Sequence, residues 1–499
     1  MKIVLVNPPV HYSGEERVSV PIGLAYIAAA LEAEGHGVSI IDSPVAEYTL
    51  DQTANKVIQE QPDAIGLTAT THTRFIAAEI SRQIKERLDT FVLVGGPHFS
   101  ATARDALQRI PSIDVVVRGE GEYTVLELLQ RYFTNEPLDK VLGISYRNNR
   151  GRIIENPDRP PVDLNSIPMP SWHLLPMDNY RGGLGEYRHG NLSKEEWNMP
   201  AAGVMSSRGC PFQCIFCATS ASSRGAKPFR MLDPTKFVDN IELLYRKHGT
   251  RLFHFWDDTF TISKGHVVEV CEEILHRHLN IKWYARARVN TVDKEMLSLM
   301  RRAGCVALLY GVESGSPKVL NSIKKHITLN QVREAVKLSV ELGFDVLLAF
   351  MISFPEEREE DVLATLRFVA ELRKMGENVA PIALSPTVIY PGTEIEAIAL
   401  KEGHIFPDGF SWNKPVKFPQ NRALLLDDTV PVYVRPDFTF EEIAAYRLQN
   451  YIQQGGHQGL ARTFRIFQRG MQALTSVRNL EDIDNLLKIA KAYLFSLGR

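Results

Sequence analysis

Three thiols fall within eight residues, in Cys210-Pro211-Phe212-Gln213-Cys214-Ile215-Phe216-Cys217. Thiolates this close on one segment can share a metal centre, and ligands so soft favour zinc or iron–sulfur. A structural zinc site usually takes four ligands in paired knuckles. The chain has five cysteines, and the other two, Cys271 and Cys305, fall far along it, within a helix-like segment and at the end of another. Three thiolates on a four-iron cluster leave one iron open for a substrate, so this spacing points to reactive iron–sulfur chemistry. A zinc site or a redox-sensing thiol cluster is the plainer alternative.

The elements around this motif must hold it at a site. It follows a strand-like run at Ala202–Ser206, the first of six; the others are Leu252–Trp256, Lys282–Ala287, Ala307–Gly311, Asp345–Phe350 and Ile382–Pro386. Segments of helical length and period lie between them, among them Pro234–His248, Gly265–His278, Lys294–Ala303, Leu329–Leu342 and Glu359–Lys374. Six such units predict a partial barrel whose site lies at the carboxyl ends of its strands. The motif then sits on the first loop of that edge.

The first 139 residues alternate in the same way. Short β-branched runs at Lys2–Val6, Gly37–Ile41, Ala64–Leu67, Phe91–Val94 and Asp114–Val117 are separated by helix-length segments. That pattern predicts a doubly wound α/β sheet covered on both faces. Several strands run into ligand-style loops: Asn7-Pro8-Pro9, Thr68-Ala69-Thr70-Thr71, Gly95-Gly96-Pro97-His98 and Gly119-Glu120-Gly121. Open parallel sheets bind ligands at this edge. Residues 140–195 read as a hairpin around Asn148-Asn149-Arg150-Gly151, then a linker with five prolines between Asn156 and Ser171. The barrel is expected over 196–400. Amphipathic stretches at Thr439–Gln453 and Glu481–Ser496 predict a small, mostly helical domain over 401–499.

Composition narrows the class. A net charge of -2 argues against a broad nucleic-acid surface, and 44% apolar with 23% charged residues is ordinary globular usage. No apolar run reaches the roughly 18 residues needed to span a bilayer. The start, MKIVLVNPPV, reads as a strand and not as a signal peptide, so a cytoplasmic location is the expectation.

The CxxxCxxC spacing, with Phe216 before its last cysteine and a strand before its first, resembles the radical S-adenosylmethionine (SAM) superfamily. The resemblance extends through Phe255-Trp256-Asp257-Asp258-Thr259-Phe260, Arg286 and Arg288, and Gly311-Val312-Glu313-Ser314-Gly315. It implies that Cys210, Cys214 and Cys217 hold a [4Fe–4S] cluster. It also implies that Phe216, Trp256, Asp257, Asp258, Arg286, Arg288, Glu313 and Ser314 border SAM. The arginines would meet the SAM carboxylate. One departure stands out: relatives commonly show Gly-Leu-Pro-Gly-Glu after the fifth strand, where this chain has Ser353-Phe354-Pro355-Glu356-Glu357. Two glycines are gone, so the backbone there is expected to follow another path.

With the first domain included, through Val6-Asn7-Pro8-Pro9, Pro21-Ile22-Gly23-Leu24-Ala25-Tyr26-Ile27-Ala28 and the two glycine-rich loops, the chain resembles the cobalamin-binding branch of that superfamily. The first domain is then expected to be flavodoxin-like. Pro8, Pro9, Thr68, Thr70, Thr71, Gly95, Gly96, Pro97, His98, Gly119 and Glu120 would line cobalamin. The Asp-x-His-x-x-Gly signature of cobalt-ligating histidines is absent. His98 is expected to structure its loop or touch the corrin edge, and His11 and His72 to lie in solvated loops.

The activity implied is methylation of an unactivated carbon, or of phosphorus, with cobalamin as methyl carrier. Oxidative cyclization, as in anaerobic magnesium-protoporphyrin monomethyl ester cyclases, or a ring rearrangement would use the same parts. A sensor or scaffold would bind the cofactors without cleaving SAM. A methylthiotransferase needs a second cysteine trio before the barrel, and no cysteine precedes Cys210. The implied partners are a small-molecule, lipid or tetrapyrrole substrate and a low-potential donor such as flavodoxin or ferredoxin, with no nucleic acid. Tyr310 and Tyr390 are candidate pocket residues that could equally be packing. No acid or base is named, because the cofactors carry the hard chemistry.

Overall fold

Two alternations of strand and helix are realised in a computed structural model that describes residues 1–10, 19–182, 192–221, 229–404, 430–435, 442–443 and 446. In the first, β1 (Lys2–Asn7), β2 (Gly37–Asp42), β3 (Ala64–Thr68), β4 (Phe91–Gly95) and β5 (Val115–Val117) are parallel, in the order β2-β1-β3-β4-β5. Side chains alternate across the pleat, so each strand feeds two cores. Val4, Val6, Ile65, Leu67, Val92 and Val94 pack with the helices Leu50–Glu60, Arg74–Lys85 and Ala103–Arg109. Ile3, Leu5, Leu93, Val115 and Val117 face the helices Ile22–Ala33 and Glu122–Phe133. The expected hairpin, β6 (Ile144–Arg147) and β7 (Ile153–Glu155), adds antiparallel to β5 and extends the sheet to seven strands.

The second series begins with β8 (Ala201–Val204). A short antiparallel ribbon of β9 (Ser207–Arg208) and β10 (Arg230–Met231) follows it. With β11 (Leu252–Phe255), β12 (Lys282–Ala287), β13 (Cys305–Glu313), β14 (Asp345–Ile352) and β15 (Val379–Pro386), β8 forms a six-stranded parallel sheet in the order β15-β14-β13-β12-β11-β8. Phe253, Phe255, Trp283, Leu308, Val346 and Leu348 face the surrounding helices, while Ala201, Leu252, Tyr284, Ala307, Leu309 and Leu347 form the inner wall. The helices start where side chains can cap them: Asp233 accepts from the Lys236 N–H at 3.1 Å, and Asp293 from the Met296 N–H at 2.9 Å. Cys305 opens β13 instead of ending a helix. Tyr310 points away from the inner wall, its hydroxyl 3.0 Å from Ser339 Oγ on the helix Leu329–Glu341. Both calls for amphipathic helices beyond 430 lie mainly outside the described residues, as does His11.

The proline-rich segment is a packed strap. The Ser171 N–H donates to Ala25 O at 3.1 Å. Trp172 is buried in the barrel core, and its indole N–H donates to Asn240 Oδ1 at 2.6 Å. The Tyr180 hydroxyl donates to Asp42 at the end of β2, and Tyr180 O accepts from the Ala201 N–H at 2.9 Å. Proline limits helix here to the single 3-10 turns Leu164–Ser166, Trp172–Leu174 and Met177–Asn179, so other backbone groups bond outward to both sheets' surroundings. No described helix is long and apolar enough to cross a membrane.

Removing the strap's anchor should register globally. Trp172→Ala is expected to cost about 3–5 kcal/mol, the range for a buried aromatic, read as a fall in thermal midpoint at fixed scan rate. An unchanged midpoint would mean that the segment is only a tether.

Candidate functional site

The cysteine loop leaves β8 through a braced turn. The Asp257 carboxylate, with no exposure, accepts from the Ser206 N–H at 3.3 Å, the Ser206 hydroxyl at 2.8 Å and the Ser207 hydroxyl. Burial pushes its pKa up and those donors hold it down. His266 Nε2 lies 3.1 Å from Ser206 Oγ. Gly209 then turns left-handed, with φ of 87°, and delivers Cys210. Ile215 pins the loop: its N–H donates to Ile323 O and its carbonyl accepts from the Ile395 N–H, both at 3.2 Å. The Cys217 N–H donates to Cys214 O at 3.1 Å.

Cys214 is buried, Cys210 and Cys217 are half-buried, and none is in a disulfide. Burial raises the thiol pKa of Cys210 and Cys214; at Cys214 the charges of Lys325 and Arg288 oppose it. Metal binding deprotonates such thiols outright. Among the described residues no three side chains close on a single metal ion, the cysteines included. Three soft donors spread over one loop, with cations beside the buried one, fit a multi-iron cluster.

The barrel residues divide by what they already bind. Phe216 packs on Phe354, ring centroids 5.5 Å apart. Trp256 lies over Gly203, where any Cβ would collide with the indole, and the Arg286 guanidinium sits 5.1 Å from its ring. Asp258 Oδ1 accepts from the Thr219 hydroxyl at 3.0 Å. Glu313, left-handed with φ of 71°, pairs with Lys325 at 2.7 Å. Three others are committed to the backbone or its turns. Asp257 braces the cysteine loop as above. The Arg288 guanidinium donates to Asn290 and to the carbonyls of Lys325 and His326, 3.7 Å above the Phe212 ring. Ser314 Oγ accepts from the Ser316 N–H and contacts Thr365 Oγ1, both at 3.1 Å.

The loop after β14 keeps the backbone conformation that glycine favours at two positions. Ser353 and Glu356, standing where relatives carry glycine, both adopt positive φ, 71° and 63°. A non-glycine residue there costs about 1–2 kcal/mol. The buried Glu357 carboxylate supports the turn by accepting from the Ser353 and Phe354 N–H groups, the latter at 3.1 Å. Burial pushes the Glu357 pKa up to about 7.

At the carboxyl edge of the first sheet, Thr70, Pro97 and Gly119 are exposed and Thr68, Gly95 and Gly96 half-exposed, whereas Pro8, Pro9 and Thr71 are buried. Gly96 has φ of 91°, and a Cβ there would meet Ala69 O at 2.6 Å, so glycine lets adjacent loops close. Gly119 has φ of 74° with nothing within 4 Å of a would-be Cβ. Such bare backbone fits the edge of a planar ring system. His98 is 1% exposed beneath these loops, its Nδ1 3.0 Å from Thr71 Oγ1. Glu120 turns away to Arg230, at 3.1 Å from its Nη1 to Oε2, and accepts from the Val162 N–H at 3.0 Å.

The two edges meet. Arg208, two residues before Cys210, donates to Glu122 at 2.7 Å. The His72 and Tyr390 rings lie 6.5 Å apart across the interface. Sequence reading missed Lys325, and also His254 and Tyr284 on the inner wall. The alternation Phe253-His254-Phe255 carried the signal for His254: two phenylalanines facing helices leave it facing inward.

Comparison with known proteins agrees with this geometry. Residues 16–129 match the B12 binding domain family and residues 204–369 the Radical SAM superfamily. An uncharacterized methyltransferase of Pyrococcus horikoshii is 33% identical over 482 residues, 93% of this chain and 99% of the relative. The anaerobic magnesium-protoporphyrin IX monomethyl ester cyclase of a Synechocystis species is 30% identical, over 74% of this chain and 72% of the relative. Among solved structures, the cobalamin-dependent S-adenosylmethionine radical enzyme OxsB, with aqua-cobalamin and S-adenosylmethionine bound, shares the fold with a TM-score of 0.71. That match is 20% identical and covers 99% of this chain and 71% of OxsB.

The strained loop gives a test of this edge. Glu356→Val, which puts a branched side chain into the left-handed region, is expected to lower the thermal midpoint, because β-branching adds to the strain that Glu356 already carries. Glu356→Gly should hold or raise the thermal midpoint. Equal midpoints for both variants would rule out a left-handed residue 356.

Proposed function

The chain belongs to the radical SAM superfamily, in the branch that joins a B12 binding domain to the barrel, and from that premise we propose that it methylates an unactivated carbon, or a phosphorus, of a small molecule. When bound, a [4Fe–4S] cluster supplies the electron that cleaves SAM to a 5′-deoxyadenosyl radical, and cobalamin supplies the methyl carrier. The observation that carries this reading is the meeting of the two edges. The root of the cysteine loop is bonded to the first domain through Arg208 and Glu122, at 2.7 Å. Two cofactors acting on one substrate need their sites to open on a common space.

In this reading Cys210, Cys214 and Cys217 hold the cluster. Arg286, which has no carboxylate partner among the described residues, is available to the SAM carboxylate. The Glu313–Lys325 pair covers Gly311, where a Cβ would come within 2.5 Å of Glu313 Oε1, and borders the nucleoside. Thr70, Pro97 and Gly119 border cobalamin. Similarity to a methyltransferase over 99% of that relative supports methyl transfer. The cyclase similarity, over 74% of this chain, keeps oxidative cyclization as the second reading.

The test is anaerobic reconstitution with iron, sulfide and cobalamin, metal analysis, then incubation with SAM and dithionite. Iron, cobalt and 5′-deoxyadenosine are expected together. Cys210→Ala, Cys214→Ala or Cys217→Ala should abolish 5′-deoxyadenosine; a folded single variant that retains it would remove that residue from the ligand set. With a substrate in hand, a mass gain of CH2 marks methylation and a loss of hydrogen marks cyclization.

A further inference from the structure

The turn that follows the helix Pro317–Ser322 gives four successive carbonyls to the cysteine loop and to one arginine. Ile323 O accepts from the Ile215 N–H at 3.2 Å, and Lys324 O from the Cys214 thiol at 3.8 Å. The carbonyls of Lys325 and His326 accept from the Arg288 guanidinium. Lys324 and His326 both hold positive φ, 55° and 51°. Left-handed residues other than glycine on both sides of Lys325 are strained, and such strain gathers where function fixes the backbone.

What the turn gathers is charge. Arg288 is 5% exposed, Lys325 8% and Cys214 7%. Lys325 pairs with Glu313 at 2.7 Å, so those two charges offset each other. Arg288 meets no carboxylate at ion-pair distance among the described residues. Its acceptors are the two carbonyls and Asn290 Oδ1, the last at 2.9 Å, and it lies 3.7 Å from the ring of Phe212, inside the cysteine loop. A guanidinium stays protonated even when buried, so a net positive charge stands behind the loop. Among ionisable neighbours Cys214 acts on Arg288 most strongly, then Cys210 and Glu313. A desolvated cation without a counter-ion is costly, and thiolates at Cys214 and Cys210 would supply one. A cluster on three thiolates is anionic and gains a further negative charge on reduction, so a cation beside it favours the reduced form.

We propose that Arg288 is a positioning residue for the cluster: it ties the 323–326 turn to the cysteine loop and supplies the charge that sets how readily the cluster takes an electron. This rests on the assignment of Cys210, Cys214 and Cys217 to a [4Fe–4S] cluster. Lys325, held neutral in sum by Glu313, fills the remaining space beside Cys214 without adding a second net charge.

The test uses the full-length protein, reconstituted anaerobically with iron and sulfide and kept free of SAM. A redox titration followed by electron paramagnetic resonance reads the cluster's potential without turnover. Arg288→Gln removes the charge and keeps an amide donor for the turn. It should shift the one-electron equilibrium about tenfold or more toward the oxidised cluster, a potential about 59 mV lower. Arg288→Lys keeps the charge without the fork, and should stay within about threefold of the unaltered protein even where its thermal midpoint falls. Glu313→Gln removes a negative charge that also acts on Cys214 and leaves the Arg288 contacts in place, so its shift should have the opposite sign. A merely structural arginine would move midpoints of unfolding and not these signs. If Arg288→Gln holds no iron, Glu313→Gln decides: a shift toward the reduced cluster supports the proposal and no shift overturns it. An unchanged potential in iron-loaded Arg288→Gln, or an equal fall in the Gln and Lys variants, overturns the proposal and leaves the cluster assignment standing. An unaltered protein that assembles no iron–sulfur cluster overturns both.

Discussion

A carboxylate with no exposed atom must find its hydrogen-bond donors inside the protein, and Asp257 finds them on Ser206 and Ser207. That requirement ties the end of the second barrel strand to the root of the cysteine loop. Everything the loop presents is displaced from those serines by a few residues: Arg208 toward the first domain, Gly209 for the turn, then Cys210. The resemblance assigned Asp257 to SAM. Its geometry instead makes it the brace that fixes where three thiols stand.

The same ribbon carries the second constraint. Arg208 and Arg230 are paired in register on β9 and β10, and together they engage Glu122 and Glu120 from the start of the helix Glu122–Phe133 and the loop before it. These side chains are mostly buried, so solvent and salt screen them far less than surface pairs. Removing one partner would strand the other's charge. The Arg208 guanidinium also lies 5.0 Å from the Tyr26 ring, and burial raises that tyrosine's pKa to about 12. The orientation of the first sheet toward the cysteine loop is therefore fixed by charge as well as by packing.

Much of this was legible because periodicity reports burial. The runs Lys2–Val6, apolar from Ile3 onward, and Phe91–Val94, apolar throughout, meant a sheet covered on both faces, and the two cores that share β1 and β4 bear that out. The cysteine spacing and the glycine-rich loops were local signals. What sequence could not supply was direction and partnership. Nothing local distinguishes an Asp257 that braces serines from one that meets a ligand, or a Glu120 at a sheet edge from one drawn into an ion cluster 110 residues away. At 353 and 356, where the resembled pattern has glycine, non-glycine residues hold positive φ, and tertiary contacts support that conformation. Arg435 donates to the carbonyls of Phe354 and Glu357, and Ser353 donates to Tyr433 O, so the turn is held from outside.

The strap around Trp172 bears on how such a chain can be taken apart. The barrel helix Pro234–Lys247 buries Phe237, Ile241 and Leu244 in the same core as Trp172, Leu175 and Met177, and the strap's preceding residue is bonded to a helix of the first sheet. Excising either half at the apparent seam would leave that helix face bare and Asn240 without its indole. Two families that can be recognised separately are here joined through a shared core, and part of their seam has become interior. A transplant of the first domain onto another barrel would have to carry the strap with it and find, on the new host, a helix shaped to receive it.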